Sequence, residues 1–239
     1  SSDLVPITVS KAEMIERTPL PAPASTEAVA STSADVLPTP EGVSKEERQL
    51  RNWQSRIEEA IRDLEEEENL RAQGMKKKRR MAKGKSPFRV GISPKGDEKI
   101  LLFHGKDFPF SNFYPISFQL RDRTYNCSEQ CYQYLKANMM KNVDMCLAIL
   151  NTDNPVAQRR YGRRVMNYND ELWEEVRHDF MRETCFAKFD QNTELRDCLL
   201  ATKGFTLAEA SPNDFRWGIG LRMGNPAALD RTQWTGKIR

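Results

Sequence analysis

The sequence predicts an α+β fold, rich in helix and carrying a small sheet, confined to the C-terminal part of the chain. Three observations point there. Of 21 aromatic residues none precedes Trp53, and 19 lie at or after Phe103. Beyond residue 97 strand-like stretches are few and scattered, whereas stretches with helical spacing are many, and no strand–helix–strand alternation links them. Hydrophobic residues make up 38% of the chain, or about 43% with its 12 glycines, short of the roughly 45–50% usual for a globular chain. Part of the chain therefore adds no core. Residues 97–239 are the one segment long and apolar enough for an ordinary domain.

Residues 1–43 hold six of the 13 prolines, interleaved with Ser, Thr and Ala. Without an aromatic anchor this stretch cannot offset its ordering entropy, and it reads as a disordered tail. Ser44-x-x-Glu47 is a capping-box pattern that opens a helix over 44–74, with Gly74 as its stop. Leu50, Trp53, Ile57, Ala60 and Leu64 follow helical spacing for about two heptads. That stripe reads as a short coiled coil for self-association through 50–64, as a docking face, or as the apolar side of an isolated helix.

Residues 75–96 read as a basic linker. Lys76–Lys85 carries seven basic and no acidic groups, and it suits a nuclear-import signal, a nucleic-acid contact or an extended charged spacer. Net charge is +6 over 44–96, −4 over 1–43 and only +1 over 97–239. Non-specific attraction to nucleic acid must therefore come from the middle segment. Further on, residues 100–103, 116–120 and 205–208 predict strands. Asn126 or Ser128 caps a helix running to about Met140, and helical patterns cover 143–151, 155–166, 170–187 and 193–201.

Several classes drop out. Five cysteines with no Cys-x-x-Cys pair argue against a secreted disulfide scaffold and for a reducing nuclear or cytoplasmic setting. Cys127 and Cys131 have only the distant His104 and His178 to complete a metal site, so buried thiols are expected and no metal. No Gly-x-Gly-x-x-Gly or P-loop is present and no cofactor is expected. The longest apolar run, Met145–Leu150, is far short of a membrane span, and no secretory signal opens the chain. A start at Ser1 reads as a fragment or processed product.

Glu129, Tyr132, Gln133 and Lys136 stand at i, i+3, i+4 and i+7, along one helix face. Taken alone, such charges belong to a solvated face. Their neighbours change the weighing: Phe110-Ser-Asn-Phe-Tyr-Pro115 precedes them, and Ser211–Gly220 later presents Asp214 and Trp217 in a glycine-bearing loop. Arg160, Arg163 and Arg164 offer cations for a phosphate or a solvated face.

Phe110–Pro115, Ser128–Ala137, Gly162–Val165, Trp173 with Arg177, Ala187–Asn192, Leu199-Leu200 and Ser211–Gly220 occur in that order. Together they resemble the NADAR family, the YbiA-like N-glycosidases, over nearly all of 99–236. The resemblance implies hydrolysis of a bond between ribose and an exocyclic amine. Removal of ADP-ribose from guanine bases is the first substrate reading. Ribosylaminopyrimidine phosphates of riboflavin biosynthesis are the second, and a non-catalytic ADP-ribose-binding module is the rival class. It also implies Lys136, Glu129 and Asp214 as catalytic residues, with Asn112, Tyr114, Gln133, Arg163, Trp173, Trp217 and Gly218 as substrate contacts. The family continues past Trp-x-Gly with a closing helix, so this chain is expected to be shortened at its C-terminus. It also departs at Gln158, where the family usually has Lys.

The chemistry is plausible on the residues themselves. A ribose joined through an exocyclic amine opens to an imine, which a lysine of lowered pKa attacks to form its own Schiff base. Glu129 supplies the proton transfers. Two helical turns, about 10.5 Å of rise, separate it from Lys136, so a sugar must lie between them.

Overall fold

Helix α1 (Lys45–Ala72) starts as its capping box dictates: Ser44 Oγ accepts from the Glu47 amide at 3.1 Å, and Glu47 Oε2 accepts from the Ser44 amide at 2.7 Å. The computed structural model describes residues 44–75 and 86–237. The tail expected over 1–43 and the basic run Lys76–Lys85 lie outside the described residues.

Three strands form a mixed sheet in the order β1 (Phe88–Ile92), β2 (Lys99–Phe103), β5 (Phe205–Glu209). Strand β2 runs antiparallel to β1 and parallel to β5. Its side chains alternate between two apolar layers, as strand geometry requires. Leu101 packs with Leu50, Trp53, Ile57, Phe88 and Phe108 on one face. Ile100 and Leu102 pack with Ala208, Ala210, Ile219 and Ala228 on the other.

The helix expected to stand apart is therefore part of the domain. Leu50, Trp53 and Ile57 are buried, and the Trp53 ring meets Phe108 edge-on at 5.4 Å. The first three residues of the stripe are thus taken up by the chain's own core, while Ala60 and Leu64 stay partly exposed. Ile57→Ala should lower unfolding stability by roughly 2–4 kcal/mol, read as a shifted urea midpoint. An unmoved midpoint would mean that α1 does not pack there. The expected linker over 75–96 likewise contains a strand, β1. Phe88, Val90 and Ile92 do alternate, but Gly91 inside the run and Pro87 and Pro94 flanking it are residue types that strands disfavour.

A separate hairpin joins β3 (Phe118–Leu120) to β4 (Arg123–Tyr125) through Arg121, whose φ is 57°. The helical layer follows: α2 (Ser128–Met139), α3 (Val143–Leu150), α4 (Pro155–Gly162), α5 (Asp170–Asp190) and α6 (Thr193–Leu200). Helix α2 is central. Nine of its 12 residues are buried, and it packs against α3, α4 and α5. A helix so enclosed has no solvated face for idle charges.

Neither Asn126 nor Ser128 caps α2; the cap position is Cys127, with no side-chain cap bond. The start of α2 is pinned by amides instead. Gln130 Oε1 accepts from the Asn126 amide at 2.9 Å, while Gln130 Nε2 donates to the Ile149 carbonyl at 3.1 Å. Gln158 Nε2 donates to the Thr152 carbonyl and to Asn126 Oδ1, and its Oε1 accepts from Cys127 Sγ. Gln158 is fully buried, and its neutral amide closes this network. Helix α4 ends at Gly162 rather than at 166, with Arg163 as its C-cap.

Candidate active site

Helix α2, the 211–217 loop and the middle of α5 enclose a cleft of about 890 Å³. Its walls include Asn112, Glu129, Tyr132, Gln133, Lys136, Arg159, Trp173, Arg177, Glu209, Asp214, Arg216 and Trp217. The volume is at the upper end of the usual range for small-molecule sites.

Glu129 enters from the first turn of α2 and is 6% exposed. Burial pushes its carboxyl up to about 7, against the opposing pull of the Gln133 hydrogen bond and the Arg159 charge. Gln133, one turn on, donates from Nε2 to Glu129 Oε1 at 2.8 Å. The Glu129 amide donates to the Asn112 carbonyl at 2.9 Å, fixing the Phe110–Pro115 loop against the helix.

Lys136 is half-buried, and its Nζ donates to the Gly162 carbonyl at 3.0 Å. The same ammonium lies 4.5 Å from the Tyr168 ring centroid and 5.8 Å from that of Trp173. Burial, followed by the Arg216 charge, lowers its pKa. Acid and amine thus face one cavity while each holds a different partner.

Asp214 and Trp217 arrive on a self-bonded turn. Asp214 Oδ1 accepts from the Arg216 and Trp217 amides at 3.0 and 2.9 Å, and its Oδ2 pairs with Arg159 at 2.9 Å. Gly218 lies behind this turn, outside the cleft wall. A Cβ there would stand 2.7 Å from the Asp214 carbonyl oxygen, so only glycine lets the turn close. Trp217 stays partly exposed on the wall, edge-on to Tyr132 at 5.9 Å. Trp173 is 2% exposed and packs on Tyr132 and Phe180. It is chiefly core, with one edge on the cleft.

Two further implied contacts fall elsewhere. Tyr114 is buried in the layer under the sheet, with the Lys188 ammonium 5.9 Å from its ring. Arg163 is exposed at the C-cap of α4 and does not line the cleft. One helical turn earlier, Arg159 takes the inward position. Arg160 and Arg164 are exposed.

Sequence reasoning also passed over Glu209, the last residue of β5, whose carboxyl burial raises to about 7 with help from Asp214. The sequence shows it only as the residue after the 205–208 strand; the parallel pairing of β5 with β2 that places it at the cleft is long-range. Lys188, 1% exposed, donates to the Pro109 and Ser111 carbonyls at 2.8 Å each and so braces the loop that holds Glu129. Four of the five cysteines are buried and all are free. Among the described residues no group of three or more His, Cys, Asp or Glu side chains could hold a metal ion, and no helix is long and apolar enough to cross a membrane.

Fold and cleft together define an α+β protein of enzyme type, with a protonable acid, a half-buried amine and an aromatic wall around one nucleotide-sized cavity. Residues 102–238 match the NADAR domain, and the chain belongs to that family. Protein irg-1 of Caenorhabditis elegans is 33% identical over 164 residues, covering 62% of this chain and 77% of its own. N-glycosidase R617 of Acanthamoeba polyphaga mimivirus is 29% identical over 155 residues, covering 59% of this chain and 89% of its own. N-glycosidase YbiA of Escherichia coli (strain K12) is 33% identical over 111 residues, covering 46% and 68% respectively. The NMR structure of the E. coli protein matches with 29% identity and a TM-score of 0.43, over 50% of this chain and 72% of that one.

Proposed function

We propose that this chain is an N-glycosidase that removes ADP-ribose from guanine bases through a Schiff base on Lys136. Membership of the NADAR family and relatives named N-glycosidase support the general activity. The observation that carries the mechanism is the pairing, in one cleft, of an amine with lowered pKa and a carboxyl poised near neutrality.

The steps follow from those two groups. Glu129 protonates the ring oxygen as the ribose opens, leaving an iminium between its first carbon and the exocyclic nitrogen. Neutral Lys136 attacks that carbon, and the base departs as its free amine after taking a proton. Water, deprotonated by Glu129, adds to the lysine imine, and collapse releases the sugar aldehyde and the amine of Lys136. Asp214 binds ribose hydroxyls and Trp217 backs the base.

The choice of ADP-ribosyl guanine rests on the size of the cleft and on the basic run Lys76–Lys85, which suits a nucleic-acid substrate and a nuclear setting. Incubation with ADP-ribosylated guanosine and, in parallel, ribosylaminopyrimidine phosphate should release free sugar faster from the first. Faster release from the second would move the assignment to flavin precursors. Release from neither would leave a binding module.

A further inference from the structure

The loop between α4 and α5 ends in a ring laid over the reacting amine. Asn167 takes a left-handed turn, with φ 55°, a conformation that asparagine tolerates better than most side chains. Tyr168 follows, and its ring centroid lies 4.5 Å from Lys136 Nζ. The ring is tied in place: its hydroxyl donates to Asp170 Oδ1 at 3.1 Å, while Asn169 caps α5 by accepting from the Leu172 amide at 3.0 Å. Tyr168 lines the cleft, is 41% exposed and belongs to none of the apolar clusters of the core. Core packing therefore does not account for an aromatic at this position. A second ring, that of Trp173, lies 5.8 Å from the same nitrogen.

These surroundings suit one kind of cation better than another. Among the described residues Nζ donates to a single acceptor, the Gly162 carbonyl at 3.0 Å, and no carboxylate pairs with it. Asp170 takes the Tyr168 hydroxyl instead. An ammonium has three N–H donors, so two of them have only rings or water to face. The protonated imine of a lysine is a planar cation with one N–H. One carbonyl satisfies that donor, and aromatic faces attract the remaining charge without needing a hydrogen bond. Surroundings that fit the intermediate better than the resting ammonium are the differential binding that speeds a reaction.

We infer that Tyr168, with the Trp173 ring and the Gly162 carbonyl, forms a socket for the protonated Schiff base of Lys136, and that Tyr168 is a further catalytic residue of the reaction. The inference rests on the Schiff-base reading of the cleft and gives it a residue that the sequence did not single out. The ring acts through its negative face, so phenylalanine can replace tyrosine there and an aliphatic side chain of similar bulk cannot.

The test uses the full chain with glycolaldehyde, a two-carbon hydroxyaldehyde, and cyanoborohydride as reductant. The neutral amine of Lys136 adds to the aldehyde carbon, the adduct loses water to give the iminium, and hydride then fixes that carbon on Nζ as a secondary amine. Cyanoborohydride at neutral pH reduces the iminium in preference to the aldehyde. The rate of labelling of the Lys136 peptide therefore reads the iminium population, with exposed lysines as the reference. Tyr168→Phe should keep that rate within about twofold, and Tyr168→Leu should lower it by about threefold to thirtyfold, the range for one ring–cation contact. Mono-, di- and trifluorinated phenylalanine at the same position draw charge from the ring face at nearly constant shape, and labelling should fall stepwise along that series. Undiminished labelling in Tyr168→Leu or across the fluorinated series would overturn the inference. So would an unlabelled Lys136 in the unmodified chain, even if ribosylated bases are hydrolysed. If labelling follows the series while no ribosylated base is ever hydrolysed, the socket stands and the N-glycosidase reading falls.

Discussion

Lys136→Arg should abolish turnover, by a factor of about a thousand or more, while the protein stays folded. Arginine keeps a positive charge and enough length to reach the Gly162 carbonyl, but its guanidinium does not lose a proton in water and cannot attack carbon. Lysine at its ordinary pKa would also be almost wholly protonated at neutral pH. Its half-buried place between the Tyr168 and Trp173 rings, next to Arg216, is what lowers that value. Borohydride added during turnover should then reduce the imine and leave ribose covalently fixed on Lys136, detectable by peptide mass. Undiminished hydrolysis in Lys136→Arg, with no trapped sugar, would mean direct water attack assisted by Glu129 or Asp214.

Glu129→Gln should slow turnover by about a hundredfold to ten-thousandfold, the usual worth of a positioned acid–base group. The same substitution should raise stability. Buried Glu129 holds its proton up to about pH 7, whereas in the unfolded chain it ionises near its ordinary 4.5. Between those values the folded state binds more protons, so its stability falls as pH rises through the window, and the full deficit is present above 7. Glutamine removes the ionisation and can still accept the Gln133 hydrogen bond through its carbonyl oxygen. The variant should exceed the parent by on the order of 3 kcal/mol at pH 8 and match it below pH 4.5, as judged by urea unfolding at both values. A gap independent of pH would mean that Glu129 is not buried in its charged state.

The local parts of this structure were legible because their physics is local. The capping box at Ser44 and the stripe from Leu50 to Ile57 announced α1, and i, i+7 spacing placed Glu129 and Lys136 on one face of α2. What lay under the stripe was not legible, since the sheet that α1 covers comes from strands at 88–103 and 205–209. Strand β4 is three residues long and has no period to read. The arginines show the limit most sharply. Arg159 and Arg163 are one turn apart, yet the first meets Asp214 while the second, at the C-cap where α4 ends, is exposed. Tyr114 is buried against a helix 74 residues further on, which no neighbouring residue foretells. The contribution of Glu209 is of the same long-range kind.

Gly162 carries the last consequence. Its carbonyl receives the Lys136 ammonium, and a Cβ on it would collide with Gln133 Oε1, the amide that holds Glu129. One bare peptide unit thus holds the amine and leaves room for the amide that holds the acid. Anyone redesigning the enzyme cannot adjust the amine and leave the acid alone, or the reverse, by changing this support: a displacement at 162 detunes the two together. Modular freedom lies on the opposite walls, where the 211–217 loop and the middle of α5 bring their own anchors. A library meant to alter what the protein accepts belongs there, and position 162 should be kept out of it.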